Sequence, residues 1–457
     1  MIGIKGAGMT ALAACLKDKN IKISGSDLPE KFITDQTLAK MNLTWWENFS
    51  ADHITNQDLV IATGSNVHRG PDNIEAKTAL KKGIAYLTHG EALGVLMAEK
   101  QGISVCGVGG KTTTSALLAT LMDRTGLKPS FAVGAGEIFP LGLPGRFENR
   151  GKFFIAEADE YATAKGFDNR PRFFWQNPQI IICTNIEHDH PDIYPNLAAT
   201  KKAFRQFFQK LPQQGWLIIN GDNKNNQDTI QNLNKPIITY GEKETNSCQI
   251  KKIQSSPKKT VFSLQYNKQN WGSFVLKIPG RHNIFNATAA IIVLKKLGIP
   301  LEKIKSALTD FKGTKRRFEF LGKTMGKQIW DDYAHHPSQI KASLSAAKDW
   351  FGGKSITVIF QPHTFSRTKK LLTKFANSFS KADQVIILPV YSGGRESGNP
   401  NTVSQTLAKA ISHYHQKVDF VPQIKTIKNL IKKTDQEIII TMGAGDVWKI
   451  GQELLKS

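Results

Sequence analysis

The stretch Ile103-Ser104-Val105-Cys106-Gly107-Val108-Gly109-Gly110-Lys111-Thr112-Thr113-Thr114-Ser115 decides how the chain is read. The apolar run from Ile103 to Cys106 predicts a buried strand, three glycines follow within four positions, and Lys-Thr opens an Ala/Leu-rich helix expected from Ser115 to Met122. That order predicts a phosphate-binding loop. Glycines let backbone N–H groups face phosphate oxygens, and the helix N-terminus adds partial positive charge. Lys111 then reaches the β/γ-phosphates and the Thr112 hydroxyl meets Mg²⁺. The spacing is unusual, because only Val108 and Gly109 separate Gly107 from the Gly110-Lys111 pair, where the common loop has four residues. An incidental glycine turn is the competing reading, and the agreement of strand, Gly-Gly-Lys-Thr-Thr and helix outweighs it.

Upstream, Met1-Ile2-Gly3-Ile4-Lys5-Gly6-Ala7-Gly8-Met9 leads into an apolar helix through Leu16, and a short strand is expected from Ile21 to Gly25 before Ser26-Asp27. This resembles the first βαβ step of a nucleotide-binding sheet, with Asp27 where an acid meets a ribose hydroxyl. Lys5 stands where that fingerprint has its middle glycine. Few residues remain for a first strand, so either it is shortened or the start is misplaced. Strands expected at Asp58–Ala62 and Ile84–Leu87 complete a small α/β domain over residues 1–98.

Downstream, strands are expected at Lys152–Ala156, Ile180–Thr184 and Trp216–Asn220, then a β-rich segment from Gln249 to Ile278 and helices at Asn283–Leu297 and Leu301–Phe311. A third α/β unit starts near Phe320, with strands at Lys327–Trp330, Ile356–Phe360, Val385–Val390 and Glu437–Met442. Gly393-Gly394 and Ser397-Gly398-Asn399-Pro400 mark one loop. The expected organisation is three α/β domains: 1–98, 99–318 and 319–457. A chain of 457 residues agrees, since single cores rarely grow past ~250–300 residues.

With 61 Lys+Arg against 38 Asp+Glu, the net charge of +23 favours acidic partners. The basic residues are dispersed and no arginine-rich tail or RNA-binding aromatic motif occurs, so nucleotides are expected rather than nucleic acid. The four cysteines lie far apart without C-x-x-C spacing, which indicates neither a disulfide framework nor a zinc site. No apolar run reaches the ~18 residues of a membrane span and no signal peptide is recognisable, so a cytoplasmic location is expected.

Polar clusters recur at the carboxyl ends of the expected strands, where α/β proteins bind ligands. Glu157-Ala158-Asp159-Glu160 and Thr184-Asn185-Ile186-Glu187-His188-Asp189-His190 together suit a Mg²⁺ site beside a γ-phosphate, because hard cations take oxygen ligands. A zinc site at His188 and His190 lacks a third soft ligand nearby. In Gly280-Arg281-His282-Asn283-Ile284-Phe285-Asn286, His282 and Asn286 lie one helical turn apart, which suits either a shared ligand or a helix cap. Asp331-Asp332-Tyr333-Ala334-His335-His336-Pro337 and Phe360-Gln361-Pro362-His363-Thr364-Phe365-Ser366-Arg367 sit at successive strand ends and argue for one cleft, whereas Lys315-Arg316-Arg317-Phe318 also reads as a solvated charge run.

Taken together, these segments resemble the Mur ligases, ATP-dependent amide-forming enzymes of peptidoglycan precursor synthesis. The resemblance spans nearly the whole chain and is strongest to the branch that adds L-alanine to UDP-N-acetylmuramate. It implies a UDP-sugar domain, a central ATPase domain and a C-terminal Rossmann-like domain. It also implies attack of the lactyl carboxylate on ATP to give an acyl phosphate, which the alanine amine then opens. By the resemblance, Lys111 acts on the β/γ-phosphates with Gly107, Gly110 and Thr113 around them, Thr112 and Glu157 bind Mg²⁺, and His190 meets a second metal. His282, Asn286, Arg317 and Asp332 correspond to nucleotide contacts, and His335, His363 and Arg367 to contacts with alanine or the forming bond. Gly6, Ala7, Gly8, Met9 and Asp27 correspond to the UDP-sugar site. The implied cofactors are ATP and Mg²⁺, and the implied state is a monomer or weak homodimer without membrane insertion. Two departures stand out: Val108-Gly109 replaces the family's Thr-His, and Lys5 replaces a glycine. The runs Glu160–Ala164 and Asp192–Asn196 are also similar to a recycling branch that adds a preformed murein tripeptide, so the acceptor stays open from the first half. A non-catalytic nucleotide-binding regulator and an NAD-dependent oxidoreductase are the remote alternatives.

Overall fold

A computed structural model describes residues 1–64, 72–190, 192–392, 396, 398–423 and 426–456. The loop expected at Gly393-Gly394 and Ser397 lies outside the described residues. The chain divides into two compact units: residues 1–254, 261–276 and 283–312 form the first, and 255–260, 277–282 and 313–457 the second.

The first unit begins with a small parallel arrangement. Leu59–Ala62 pairs with Ala85–Thr88, and Gly25–Ser26 with Trp45–Trp46. Ile2 joins the two ribbons, bridging Ser26 on one side and Ala62 on the other. The first strand is therefore shortened to a single bridging residue. The strand expected over Ile21–Gly25 is reduced to Gly25–Ser26: Ile21 is 47% exposed, and although Ile23 packs against the core, the ladder with Trp45–Trp46 begins only at Gly25. Helix Ala7–Asp18 buries Met9, Leu12 and Leu16 in one cluster with Leu93, Leu96, Phe154 and Ala156.

Beyond it lies a ten-stranded sheet whose centre is parallel: Trp216–Asn220, Pro178–Cys183, Gln101–Cys106, Phe153–Glu157 and Ser130–Ala132, in that spatial order. Its strands are near-continuous apolar runs because helices or loops cover them. Ile103, Val105, Ile155, Ile181 and Ile182 have essentially no exposure. Helix His89–Ala98 lies against the short 3₁₀ helix Arg172–Trp175, and glycine makes the approach possible. A Cβ on Gly90 would lie 2.9 Å from Trp175 Cδ1, and one on Gly94 2.3 Å from the Trp175 carbonyl oxygen.

The second unit is a doubly wound sheet in the order Glu319–Thr324, Lys327–Asp332, Ile438–Met442, Ile356–Phe360, Gln384–Ile387 and Val418–Phe420, parallel except for the first strand. Alternate residues feed two cores. Ile356, Val358 and Phe360 pack with Ile340, Leu344 and Leu407, while Ile359 packs with Ile439, Ile450 and Leu454. The strand expected to reach Val390 ends at Ile387, since Pro389 brings no N–H to the ladder.

Glu319 titrates in an unusual range in this unit. Burial, with Asp331 nearby, pushes its carboxyl up to about 7 despite the hydrogen bond it accepts from the Arg316 amide. An acid raised in the folded state holds its proton there longer than in the unfolded chain, so its contribution to stability is present below pH 4.5 and is lost as pH rises to about 7. Glu319→Gln is therefore expected to raise the melting temperature at pH 8 and to change little at pH 4; equal effects at both would exclude the assignment.

Candidate active site

The strand Gln101–Cys106 delivers the loop, and the helix Lys111–Arg124 leaves it. Gly107 (φ +126°) and Gly110 (φ +86°) take backbone conformations that side chains resist, and both are crowded. A Cβ on Gly107 would lie 2.1 Å from Thr184 Oγ1, and one on Gly110 2.7 Å from Asn286 Oδ1. The next strand end braces the loop: the Val108 and Gly109 amides donate to Asn185 O (3.0 Å) and Oδ1 (2.8 Å), and Thr184 Oγ1 donates to Gly109 O (2.6 Å). A Cβ at Gly109 would meet nothing closer than 3.7 Å, at the Asn185 amide, so the family's histidine is not excluded here by space.

Amides in the first turn of the helix, Lys111 to Thr113, have no acceptor within it and carry the positive end of its dipole. The side chains of that turn meet the acidic cluster. Lys111 Nζ donates to Glu160 Oε2 (2.7 Å) and Oε1 (3.0 Å), and Thr112 Oγ1 donates to Glu157 Oε1 (3.0 Å). Glu157 Oε2 is held by the Gly134 amide at 2.9 Å. Burial alone would lower the Lys111 ammonium, but Glu160, Asp159 and Glu157 hold it above the ordinary lysine value. Burial pushes the Glu160 carboxyl up, against the pull of that ammonium. His190, itself at φ +54°, presents Nε2 3.8 Å from Glu160 Oε1 and packs edge-on to Tyr161. Asp159 pairs with Arg172 at 2.9 Å; burial opposes its charge, but Arg172 and Lys111 hold it down at about 2.

The predicted residues fall into three groups. Gly107, Gly110, Lys111, Thr112, Thr113, Glu157, His190 and Asn286 gather around this loop in the first unit. Gly6, Ala7, Gly8, Met9 and Asp27 lie at the first helix of the same unit. Gly8 faces His89, whose Nε2 would be 2.9 Å from a Cβ placed there. Burial, with Arg172 nearby, takes the His89 imidazole down to about 4. Asp27 is buried and accepts from the Lys5 amide (2.7 Å) and the Leu28 amide (2.8 Å). Lys5 sends its ammonium to the Leu28 and Glu30 carbonyls, 2.8 and 3.0 Å away, between the rings of Phe32 and Trp45. Its place in the fingerprint serves to pin the loop after Asp27.

The third group, His282, Arg317, Asp332, His335, His363 and Arg367, belongs to the second unit. Asp332 Oδ1 accepts from the Ala334 amide and Oδ2 from Ser343 Oγ, each at 2.8 Å. The His335 and His363 rings lie 6.1 Å apart. Burial and Arg367 push the His335 imidazole well below its ordinary value, and burial takes His282 to about 4. Arg317 sits over the Tyr333 ring at 4.7 Å. Its neighbour Arg316 is the buried member of the basic run, donating through Nε to Asp331 (3.0 Å) and through Nη1 and Nη2 to the Gly445 and Gly443 carbonyls (2.9 and 2.6 Å). Sequence reasoning missed Glu160 as the partner of Lys111, Asn185 as the brace of the loop, and Arg316. The first two stand at predicted strand ends, which was their one signal.

Among the described residues, no three His, Cys, Asp or Glu side chains are grouped to hold a metal ion. Thr112 and Glu157 nonetheless place hydroxyl and carboxylate oxygens side by side, a donor set that suits Mg²⁺ when phosphates complete the shell. No helix among the described residues is long and apolar enough to cross a membrane.

Comparison with known proteins agrees with this geometry. The Mur ligase family, catalytic domain model matches residues 1–101, the Mur ligase middle domain model residues 105–294, and the Mur ligase, glutamate ligase domain model residues 316–445. The chain is 36% identical to the UDP-N-acetylmuramate–L-alanine ligase of Desulfitobacterium hafniense, covering 99% of this chain and 98% of that protein. It is 34% identical to the ligase of the same name from Desulfatibacillum aliphaticivorans, over 100% and 97%. Among solved structures, UDP-N-acetylmuramate-alanine ligase MurC from Thermotoga maritima matches with a TM-score of 0.83 at 23% identity, over 100% of this chain and 97% of that one. A murein peptide ligase from Psychrobacter arcticus matches at 0.73 and 24%, over the same shares. Fold and site define a three-domain α/β ATP-dependent ligase. The chain belongs to the Mur ligase family.

Proposed function

We propose that the chain joins L-alanine to the lactyl carboxylate of UDP-N-acetylmuramate, with ATP as phosphoryl donor, in peptidoglycan precursor synthesis. The observation that carries this reading is the 36% identity over essentially the full chain to a ligase of that name, with Lys111 and Thr112 facing Glu160 and Glu157 across the loop. A carboxylate is a poor acylating agent until one oxygen becomes a good leaving group. Its attack on the γ-phosphorus of ATP gives an acyl phosphate and ADP; the alanine amine then attacks the acyl carbon, and phosphate departs.

In this reading Lys111 neutralises the β/γ-phosphates and the charge developing on the transferred group, while the Gly107–Gly110 turn and the Thr113 amide cradle them. Thr112 and Glu157 hold Mg²⁺, and His190 serves a second cation; a bound cation neutralises phosphate charge and orients the transfer. Asn286 and His282 meet the adenine, with Arg317 and Asp332 on the nucleotide. His335, His363 and Arg367 hold the alanine, whose carboxylate suits the guanidinium. Gly6 to Met9 and Asp27 take the UDP-sugar. The domains are taken as 1–98, 99–318 and 319–457, and the protein as a cytoplasmic monomer or weak homodimer.

Phosphate release is expected only when ATP, UDP-N-acetylmuramate and L-alanine are all present. Turnover with the murein tripeptide and none with alanine would favour the recycling reaction instead. That second reading draws on Tyr161 and Asp192, the two segments similar to that branch, which are joined by a 3.0 Å hydrogen bond.

A further inference from the structure

The Lys111 ammonium has a partner that no nucleotide-loop motif requires. Glu160 meets it with both carboxylate oxygens, and the pair is sequestered: the side chains are 13% and 2% exposed. Nor is Glu160 a loose carboxylate that swings toward solvent. Its backbone carbonyl accepts a hydrogen bond from the buried Tyr194 hydroxyl at 2.6 Å, and its neighbour Asp159 is tied to Arg172. Glu157, three residues earlier, is fixed between Thr112 and the Gly134 amide. The acidic segment is thus a rigid rail, and Glu160 is its station opposite the lysine.

A phosphate that takes Lys111 must therefore share it with, or draw it away from, an anion already in contact. Breaking a buried pair leaves the abandoned charge without compensation unless another cation stands by. The nearest further ion-pairing nitrogen on Glu160 is His190 Nε2, 3.8 Å from Oε1 and outside hydrogen-bond range.

We propose that Glu160 is a resident counter-anion of the phosphate-binding lysine: a positioning residue that aims Lys111 and competes with nucleotide phosphates for it. It lowers nucleotide affinity while keeping the ammonium extended along the rail. This rests on the reading of the loop as the nucleotide site.

The test is binding of ADP in EDTA, measured by calorimetry on the full chain. Glu160→Gln keeps the size of the side chain and an acceptor oxygen for Lys111 but removes the competing charge. It is expected to bind metal-free ADP about tenfold more tightly than the wild type, the scale of one close charge pair. A merely structural role predicts the opposite sign, because damage to the loop weakens binding. Glu160→Asp, with the charge kept but withdrawn by one methylene, is expected to gain affinity in smaller measure and decides the matter if the glutamine variant does not fold. Wild-type binding with no gain in either variant overturns this proposal alone. Failure of the wild type to bind ADP overturns the nucleotide reading and this proposal with it.

Discussion

Lys111→Ala is expected to reduce amide formation by at least about 10³-fold, since electrostatic stabilisation of the transferring phosphoryl group is the main catalytic contribution left to the protein. The loss follows from placement. The ammonium stands at the first residue of the helix, within reach of both the turn at Gly110 and the rail at Glu157–Glu160. No other side chain described in this loop brings a positive charge to that point. Phosphate release with ATP, UDP-N-acetylmuramate and L-alanine checks it, and a variant turning over within tenfold of the wild type would remove Lys111 from the mechanism. Lys111→Arg is expected to recover little, because a planar fork does not replace a point charge held against the Glu160 carboxylate.

Arg316→Ala is expected to cost the second unit about 3–5 kcal/mol, the penalty for leaving one partner of a buried ion pair alone. Arg316 and Asp331 side chains are 8% and 1% exposed, and the guanidinium also satisfies the carbonyls of Gly443 and Gly445. One substitution therefore leaves the Asp331 carboxylate without its cation, though Thr441 Oγ1 still donates to Oδ1 (2.6 Å), and removes the guanidinium donors from two backbone acceptors. Urea unfolding followed by tryptophan fluorescence, to which Trp330, packed between Phe318 and Phe351, contributes from this unit, measures the loss as a shift of the transition between variant and wild type. A change below about 1 kcal/mol, the scale of an exposed pair, would show that the pair is not buried in solution. Arg316→Lys restores charge but cannot reach three acceptors in a plane, so partial recovery is expected.

The parts of this molecule that were legible in its sequence are those encoded locally. The strand, the glycine turn and the helix around Lys111 are contiguous, and each obeys its own periodicity and turn chemistry. The strand-end positions of Glu157, Thr184 and Asp332 follow from the same βα rhythm. What was illegible depends on chain segments meeting across long separations. Glu160 and Lys111 are 49 residues apart, Asn185 and Gly109 76, and Arg316 and Gly443 127. Nothing in Lys-Arg-Arg-Phe distinguishes the arginine that is buried from the one that is not. Lys5 is a further case: its position read only as a departure from the glycine fingerprint, and the structure shows its ammonium serving carbonyls of the following loop. Local alternation misled at Ile21–Gly25, where apolar side chains recur with strand period but find no partner strand until Gly25.

The flush seating of helix His89–Ala98 on Arg172–Trp175, permitted by Gly90 and Gly94, bears on how this chain can be cut and recombined. The seam leaves no room for even one methyl group at Gly94, so its two faces are a matched mould and casting. A chimera that takes residues 1–98 from one relative and the remainder from another inherits a mould from one parent and a casting from the other. Grafts meant to exchange residues 1–98 should therefore carry residues 172–175 along with them, although they lie far downstream in sequence.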